Sequence, residues 1–215
     1  PPPPSIYCQI STRFYDILRP YRFPVEKSCN ETLNMFTVIE AMPLPEQSKL
    51  DICHKKLGIK IPDVHTDCFS LSIRKKVPIE EFVEAFYTSW LFKVERLILG
   101  IVVGKPSTDK QAYELSVGQR VQFSAWNLEY QDENQVVLAD FMGKTKSWLM
   151  VENWGNASTR LFFGSAVMPR YNADGSLGKP SLFFRLLSGF HMLYSRSLLW
   201  AASRNLLSQE ERRSG

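Results

Sequence analysis

The order of the apolar segments is the feature that most constrains how this chain can fold. A short strand-like run at Cys68–Ile73 precedes one long helical stretch at about Ile79–Val103. Alternating runs typical of β-strands extend over about Tyr113–Val167, and a long amphipathic helix follows at about Ser181–Leu207. This order predicts an α+β fold in which a curved antiparallel sheet packs around the last helix and leaves a cavity between the two.

The last helical stretch is apolar around more than half of its circumference. Phe183, Leu187, Phe190 and Tyr194 recur at helical spacing on one side, and Met192 stands on the opposite side. A helix of this kind is deeply buried or meets another apolar surface. In both cases, this helix is the centre of the predicted fold.

The composition of the chain changes abruptly near Met35. The chain starts with the proline run Pro1–Pro4, which favours extended polyproline geometry and resists a helix. We therefore predict a poorly structured extension or tail at residues 1–34. A single α+β domain is predicted at residues 35–208, and a polar C-terminal tail at residues 209–215.

The charge of the chain is only mildly basic. Its 215 residues carry a formal net charge of +4, and the isoelectric point is about 8.9. The lysines and arginines are scattered along the sequence, whereas a nucleic-acid-binding domain concentrates them on one face. We expect no nucleic-acid partner.

The apolar segments and the cysteines bear on the cellular location. No run of about 18 uncharged apolar residues occurs, so we predict no transmembrane segment. The first residues lack the charged and apolar regions of a secretory signal peptide. The four cysteines lie far apart, as reduced thiols in a cytoplasmic protein do. These patterns favour a cytoplasmic protein.

Motifs that bind metals or cofactors are absent from the sequence. It contains no C-x-x-C pair, no H-E-x-x-H helix, no phosphate-binding P-loop and no G-x-G-x-x-G turn. The segment Phe163–Val167 matches only part of the G-x-S-x-G motif of serine hydrolases. We therefore predict no metal site and no cofactor.

Histidines are the main candidates for acid–base chemistry. His191 lies on the flank of the apolar stripe of the last helix, beside Leu187 and Tyr194, and is the weak candidate for a catalytic residue. The alternative is a structural histidine that is hydrogen-bonded to a carbonyl or water. His65 and Asp67 stand just before the first strand, as a metal pair, an acid–base couple or ordinary loop residues.

Aromatic residues are concentrated in the predicted strands. Most of them must fill the core, because protein interiors are close-packed. The remainder fits an apolar pocket with a few polar groups that orient a ligand. The residues expected to line this pocket are Phe123, Trp126, Trp148, Phe162, Phe190, His191 and Tyr194.

The element order resembles the helix-grip fold of the START and Bet v 1-like (SRPBCC) superfamily. Three stretches are also similar to a bacterial family of domains of unknown function: Met42–Leu50, Asp63–Leu71 and Phe190–Arg196. The resemblance covers about Met35–Leu207. It implies a curved antiparallel sheet packed on the long C-terminal helix, a second helix after the first strand, and a cavity for an apolar small molecule. It implies no catalytic residue.

Three functions are compatible with these patterns. The first is binding of a small apolar ligand between the sheet and the C-terminal helix, oriented by His191, Tyr194 and Trp126. The second is a cyclase, dehydratase or hydrolase that uses His191 in the same cavity, assisted by Tyr194 or Asp67.

The third function is a module without a ligand, which docks through the C-terminal helix. Arg185, Arg196 and Arg204 supply charge around the apolar surface of this helix. The docking partner is then another protein, a membrane surface or a second copy that forms a homodimer.

Overall fold

A computed structural model describes residues 38–50, 65–168 and 182–214 of the chain, which belong to one unit, Phe36–Gly215. In the last helix, side chains are described for residues 192–209. The extension expected at residues 1–34 lies outside the described residues.

One seven-stranded antiparallel sheet forms the centre of the described fold, in the order β1-β2-β7-β6-β5-β4-β3. Together with the long C-terminal helix, this sheet confirms the predicted α+β class. The strands are β1 (Glu40–Ala41), β2 (His65–Ile73), β3 (Gln122–Phe123), β4 (Trp126–Gln131), β5 (Gln135–Asp140), β6 (Thr145–Trp154) and β7 (Ser158–Val167).

The single helix predicted at Ile79–Val103 is wrong, because two helices occupy this stretch: α1 (Ile79–Tyr87) and α2 (Trp90–Val102). Ser89 separates them. Its hydroxyl donates to the carbonyl of Phe86 at 2.8 Å and accepts the N–H of Phe92, which caps the start of α2. The chain therefore changes direction between α1 and α2.

The strand region expected from Tyr113 begins later than predicted, because Tyr113 belongs to helix α3 (Asp109–Ser116). Thr108 and Gln111 form a capping box at the start of this helix, in which each side chain bonds the other residue's N–H. The pattern T-x-x-Q thus starts a helix where apolar alternation alone predicts strand.

The C-terminal helix α4 extends over Leu182–Ser214. It includes most of the residues for which we predicted a polar tail. Asn205 of α4 donates its amide N–H groups to the carbonyl of Ala85 at 2.9 Å and to the hydroxyl of Thr88 at 3.0 Å. These bonds hold α4 against the end of α1 by satisfying a helix carbonyl.

Both faces of the sheet are covered. The face that meets the helices carries Phe69, Leu71, Leu149, Leu161 and Phe163, packed against α1, α2 and the second half of α4. Because side chains alternate along a strand, the intervening residues point to the other face. That second face is covered by the segment that contains Met42, Leu44 and Leu50, and its buried residues are Cys68, Val137, Trp148, Met150, Phe162 and Ala166.

Gly164 marks a close approach on this second face. A Cβ atom at this position would lie 2.8 Å from Cε3 of Trp148 and 3.0 Å from the carbonyl oxygen of Asp67. Only glycine therefore lets the ring of Trp148 approach β7 this closely.

Candidate functional site

A row of polar side chains crosses the face of the sheet that meets the helices. Asp67 on β2 is paired with Ser165 on β7, and Ser165 is paired in turn with Ser147 on β6. These positions are in phase with the core residues Phe69 and Phe163, so the same alternation that buries the apolar side chains turns the polar ones inward.

The carboxylate of Asp67 accepts three hydrogen bonds at one end of this row. Its Oδ1 accepts hydrogen bonds from the N–H of Ser165 at 2.9 Å and from the hydroxyl of Ser165 at 2.6 Å. Its Oδ2 accepts the hydroxyl of Ser195, on helix α4, at 3.3 Å. Ser147 is 3.4 Å from the hydroxyl of Tyr87 on α1. We call these five residues the Asp67 cluster.

The Asp67 cluster lies within an apolar interface. Ser147, Ser165, Ser195 and Tyr87 are all buried, and Tyr87 is surrounded by aromatic rings. Burial raises the pKa of Tyr87, so its phenol stays protonated at ordinary pH. Because buried polar groups without partners cost free energy, this interface needs the hydrogen bonds within the cluster.

A second polar contact joins helices α2 and α4. The hydroxyl of Tyr194 donates a hydrogen bond to the carboxylate of Glu95. Burial raises the pKa of Glu95. The hydrogen bond from Tyr194 lowers this pKa, but by less than burial raises it. Burial and the neighbouring Glu95 charge raise the pKa of Tyr194. Since Ser195 directly follows Tyr194, the two polar contacts are adjacent along α4.

Trp126 brings a further donor to the same face of the sheet. Its side chain is partly buried against the helix-side core, yet its indole N–H is shielded from solvent and meets no acceptor in the described part of the chain. A buried N–H without an acceptor is uncommon in folded proteins, and it is a group that a bound molecule can satisfy.

The structure divides the predicted pocket residues between the two faces. Phe123, Trp126 and Tyr194 belong to the helix side, and Phe123 is fully packed between Tyr87 and other rings. Trp148 and Phe162 belong to the second face, because their positions alternate with those of the helix side.

Two of the predicted residues lie outside the described side chains. Phe190 and His191 are on the α4 backbone, and position 191 precedes Ser195 by four residues, about one helical turn. The helical spacing therefore aligns position 191 with Ser195 along α4.

Sequence reasoning missed the Asp67 cluster as a unit. It placed His65 and Asp67 in a loop, whereas both belong to β2. A signal was present, since Asp67 and Ser165 each stand two residues from a core phenylalanine, Phe69 and Phe163, in an alternating strand. A polar residue in phase with buried apolar ones is a candidate for a functional or structural polar site.

The described residues include no group of three or more His, Cys, Asp or Glu side chains arranged to hold a metal ion. Within the same residues, none of the helices combines the length and apolarity needed to cross a membrane.

Comparison of the chain with protein-family models, with curated proteins and with solved structures finds no match. The function of the Asp67 cluster has to be inferred from its geometry and chemistry.

Proposed function

We propose that this chain is a helix-grip binding protein that holds one small molecule between its sheet and helix α4. The molecule would have an apolar body and at least one polar group. The apolar body would contact the partly buried side chains at the margin of the helix-side core, and the polar group would meet the Asp67 cluster or the indole of Trp126.

The connectivity of the elements supports the helix-grip part of this proposal. Strand β2 leads into helices α1 to α3, the meander β3 to β7 follows, and α4 ends the described fold. The last strand, β7, returns to pair with β2. The buried residues of α4, Leu198, Leu199, Ala202 and Leu206, pack in the same core as those of α1.

The observation that carries the binding part is the Asp67 cluster itself. A carboxylate and several hydroxyls lie on the inner face of an apolar interface. Burying leucine or valine there would cost less free energy than burying these polar groups. Ligand sites in proteins are largely apolar with a small number of such placed polar groups.

The separation of the polar groups indicates the size of the molecule. Trp126 on β4 and Asp67 on β2 lie at two ends of the strand order β4-β5-β6-β7-β2. At about 4.8 Å between neighbouring strands, this separation is about 19 Å across the sheet. A molecule that reached both groups would have about the length of an extended fatty acyl chain.

The margin of the core near α2 is the proposed route into this space. Leu91, Trp126, Met192 and Tyr194 pack on the helix-side core but stay partly exposed. The hydrogen bond from Tyr194 to Glu95 joins α2 to α4 at this place, so opening it would separate the two helices.

An enzyme at the same site is the second candidate. The favouring observation is the short hydrogen bond from the Ser165 hydroxyl to Asp67, which places a proton acceptor against a hydroxyl. If His191 is the general acid or base of such an enzyme, turnover of an extracted ligand should collapse in the His191→Ala variant. An unchanged rate would remove this candidate.

The first experiment is native mass spectrometry of the purified full chain, followed by organic extraction. We expect a mass shift from one bound apolar molecule. If the protein carries nothing, titration with the probe 1-anilinonaphthalene-8-sulfonate tests binding directly. No copurified molecule and no saturable probe binding would contradict the proposal.

Two serines of helix α4 form a matched pair for this titration. Ser195 and Ser203 are both fully buried, but Ser203 donates to the carbonyl of Trp200 in its own helix. We expect Ser195→Ala to change probe affinity by about threefold to tenfold, as one hydrogen bond does, and Ser203→Ala to leave it unchanged. Equal effects of the two substitutions would indicate that the Asp67 cluster is purely structural.

A further inference from the structure

Helix α2 turns its apolar side toward solvent. Six large apolar side chains on it are between 48% and 76% exposed. At about 100° per residue, their positions fall within an arc of about 140° on one side of the helix. We call this surface the α2 face; it consists of Trp90, Val94, Leu97, Ile98, Ile101 and Val102.

The opposite side of α2 is fixed to the protein by Phe92 and Arg96, both buried. The guanidinium of Arg96 donates to Ser107, to the carbonyl of Tyr87 at 3.3 Å and to Asp109 at 2.7 Å. Rolling α2 to bury its apolar side would break all of these bonds. The folded protein therefore holds the α2 face outward.

Apolar and basic groups continue beyond the end of α2. Phe141 and Met142, in the turn between β5 and β6, are exposed. The Nζ of Lys105, three residues after α2, lies 5.6 Å from the ring centre of Phe141. The Nζ of Lys144 is 3.7 Å from the sulfur of Met142. The exposed apolar surface is thus bordered here by lysines.

The nearby carboxylates are already engaged. Asp109 pairs with Lys93 at 2.6 Å and with Arg96 at 2.7 Å. Asp140 accepts the backbone N–H groups of Met142 and Thr145, both at 2.6 Å. Among the described residues, Lys105 and Lys144 form no ion pair, so this border supplies two cations without a carboxylate partner, beside Asp140, whose pKa is lowered, against the effect of burial, by the hydrogen bonds it accepts.

We propose that the α2 face docks on the surface of a membrane that contains anionic lipids. A contiguous exposed apolar patch on a folded protein marks an interaction site. A helix with a continuous apolar face binds the membrane interface by burying that face, and neighbouring lysines add attraction to anionic headgroups. The tryptophan at the start of α2 suits the interface region, where indole rings are enriched. This inference does not depend on the ligand site.

Charge favours a membrane over a second copy of the chain. In a twofold-symmetric dimer, the same surface of both copies takes part. Pairing through the α2 face would add the same two lysines, Lys105 and Lys144, from each copy and no carboxylate to match them, whereas anionic lipids would neutralise them.

The test is sedimentation of the full chain with vesicles of phosphatidylcholine, with and without one-third phosphatidylserine. We expect binding to the vesicles that contain phosphatidylserine, and release at high salt. The double variant Ile98→Glu/Ile101→Glu should lose about tenfold or more in affinity. Val38→Glu adds a charge at another exposed valine, and we expect it to bind as the unsubstituted chain does.

Further variants separate the electrostatic from the apolar contribution to vesicle binding, and a check of the fold excludes misfolding as the cause of a loss. Lys105→Gln/Lys144→Gln should reduce the preference for phosphatidylserine and leave the remaining binding to phosphatidylcholine unchanged. Circular dichroism checks the fold, and the milder Leu97→Ser replaces the double variant if that one unfolds. Failure of the unsubstituted chain to sediment with anionic vesicles would overturn the proposal. So would a dimer in size-exclusion chromatography that Ile98→Glu/Ile101→Glu abolishes without any vesicle binding.

Discussion

Replacing Arg96 by methionine tests how much a buried cation that holds α2 in place contributes to stability. Arg96 is only 7% exposed, and its guanidinium bonds Ser107, Tyr87 and Asp109 while lying 5.5 Å from the ring centre of Phe123. Methionine keeps most of the aliphatic stem and removes all of these polar contacts.

The expected loss in free energy of unfolding depends on the groups around Arg96. Removing one partner of a buried ion pair costs about 3–5 kcal/mol, and each buried acceptor without a donor about 1–3 kcal/mol. Here Asp109 is about half exposed and keeps its contact with Lys93. The loss of stability should therefore lie at the lower end of the range for a buried ion pair. We expect Arg96→Met to lower the free energy of unfolding by about 3 kcal/mol.

Lys93→Met is the matched control, because Lys93 binds the same carboxylate from a position that is 48% exposed. An exposed ion pair contributes at most about 1 kcal/mol, so this substitution should be nearly neutral. Urea denaturation gives both free energies. In thermal melts, Arg96→Met should lower Tm by about 6–12 °C, at about 2–4 °C per kcal/mol for domains of about 150–250 residues.

The pH dependence adds a second readout. Burial opposes ionisation of Asp109, but the hydrogen bonds and charges of Lys93 and Arg96 outweigh it and hold the pKa of Asp109 below its usual range. The resulting stabilisation is present above the unfolded-state pKa and is lost as pH falls through the folded-state pKa. The difference between the unsubstituted chain and Arg96→Met should therefore shrink in acid. Equal losses for Arg96→Met and Lys93→Met at neutral pH would show that the buried guanidinium stabilises the fold no more than the exposed lysine does.

Two further predictions concern the sheet and the contact between α2 and α4. Gly164→Ala should lower the free energy of unfolding by about 1–3 kcal/mol in urea denaturation, because its Cβ would lie 2.8 Å from Trp148. Gly100→Ala is the control and should be tolerated, since the nearest atom to its Cβ would be 3.4 Å away. Equal losses for the two variants would contradict this prediction. Burial raises the pKa of Glu95, so this group's contribution to stability falls as pH rises from its usual value of 4.5 through the folded-state pKa. Glu95→Gln should lack that fall and be more stable than the unsubstituted chain at pH 8 in thermal melts; a variant that is less stable there would show that the ionised carboxylate is needed.

Much of the fold could be predicted from local patterns. The alternating runs before Val167 correctly indicated an antiparallel sheet, in which β5, β6 and β7 form a meander. The division of the first helix at Ser89 was missed, since its capping hydroxyl competes with an apolar pattern that runs through it unbroken. The irregularities of β4 were also missed: a tight turn at Ser124, with left-handed backbone (φ 52°), precedes the strand, and a register shift lies between Leu128 and Tyr130.

The candidate site was less accessible to such reasoning. Alternation correctly indicated that neighbouring residues in a strand face opposite ways, but not which face meets the helices. The predicted pocket therefore mixed Trp148 and Phe162 from one face with Trp126 and Tyr194 from the other. The hydrogen bond between Ser195 and Asp67 joins residues 128 positions apart, a separation at which local periodicity carries no information.

Local patterns in the sequence were sufficient to predict helix after the first long strand, the antiparallel meander and a long apolar C-terminal helix. These follow from spacing between near neighbours, which decides which side chains share a face. What each face meets depends on long-range contacts, which appear only in the folded structure. The fold brought Asp67, Ser165 and Ser195 together inside the molecule, and it turned the apolar side of α2 outward because the bonds of Arg96 hold the opposite side of that helix in place.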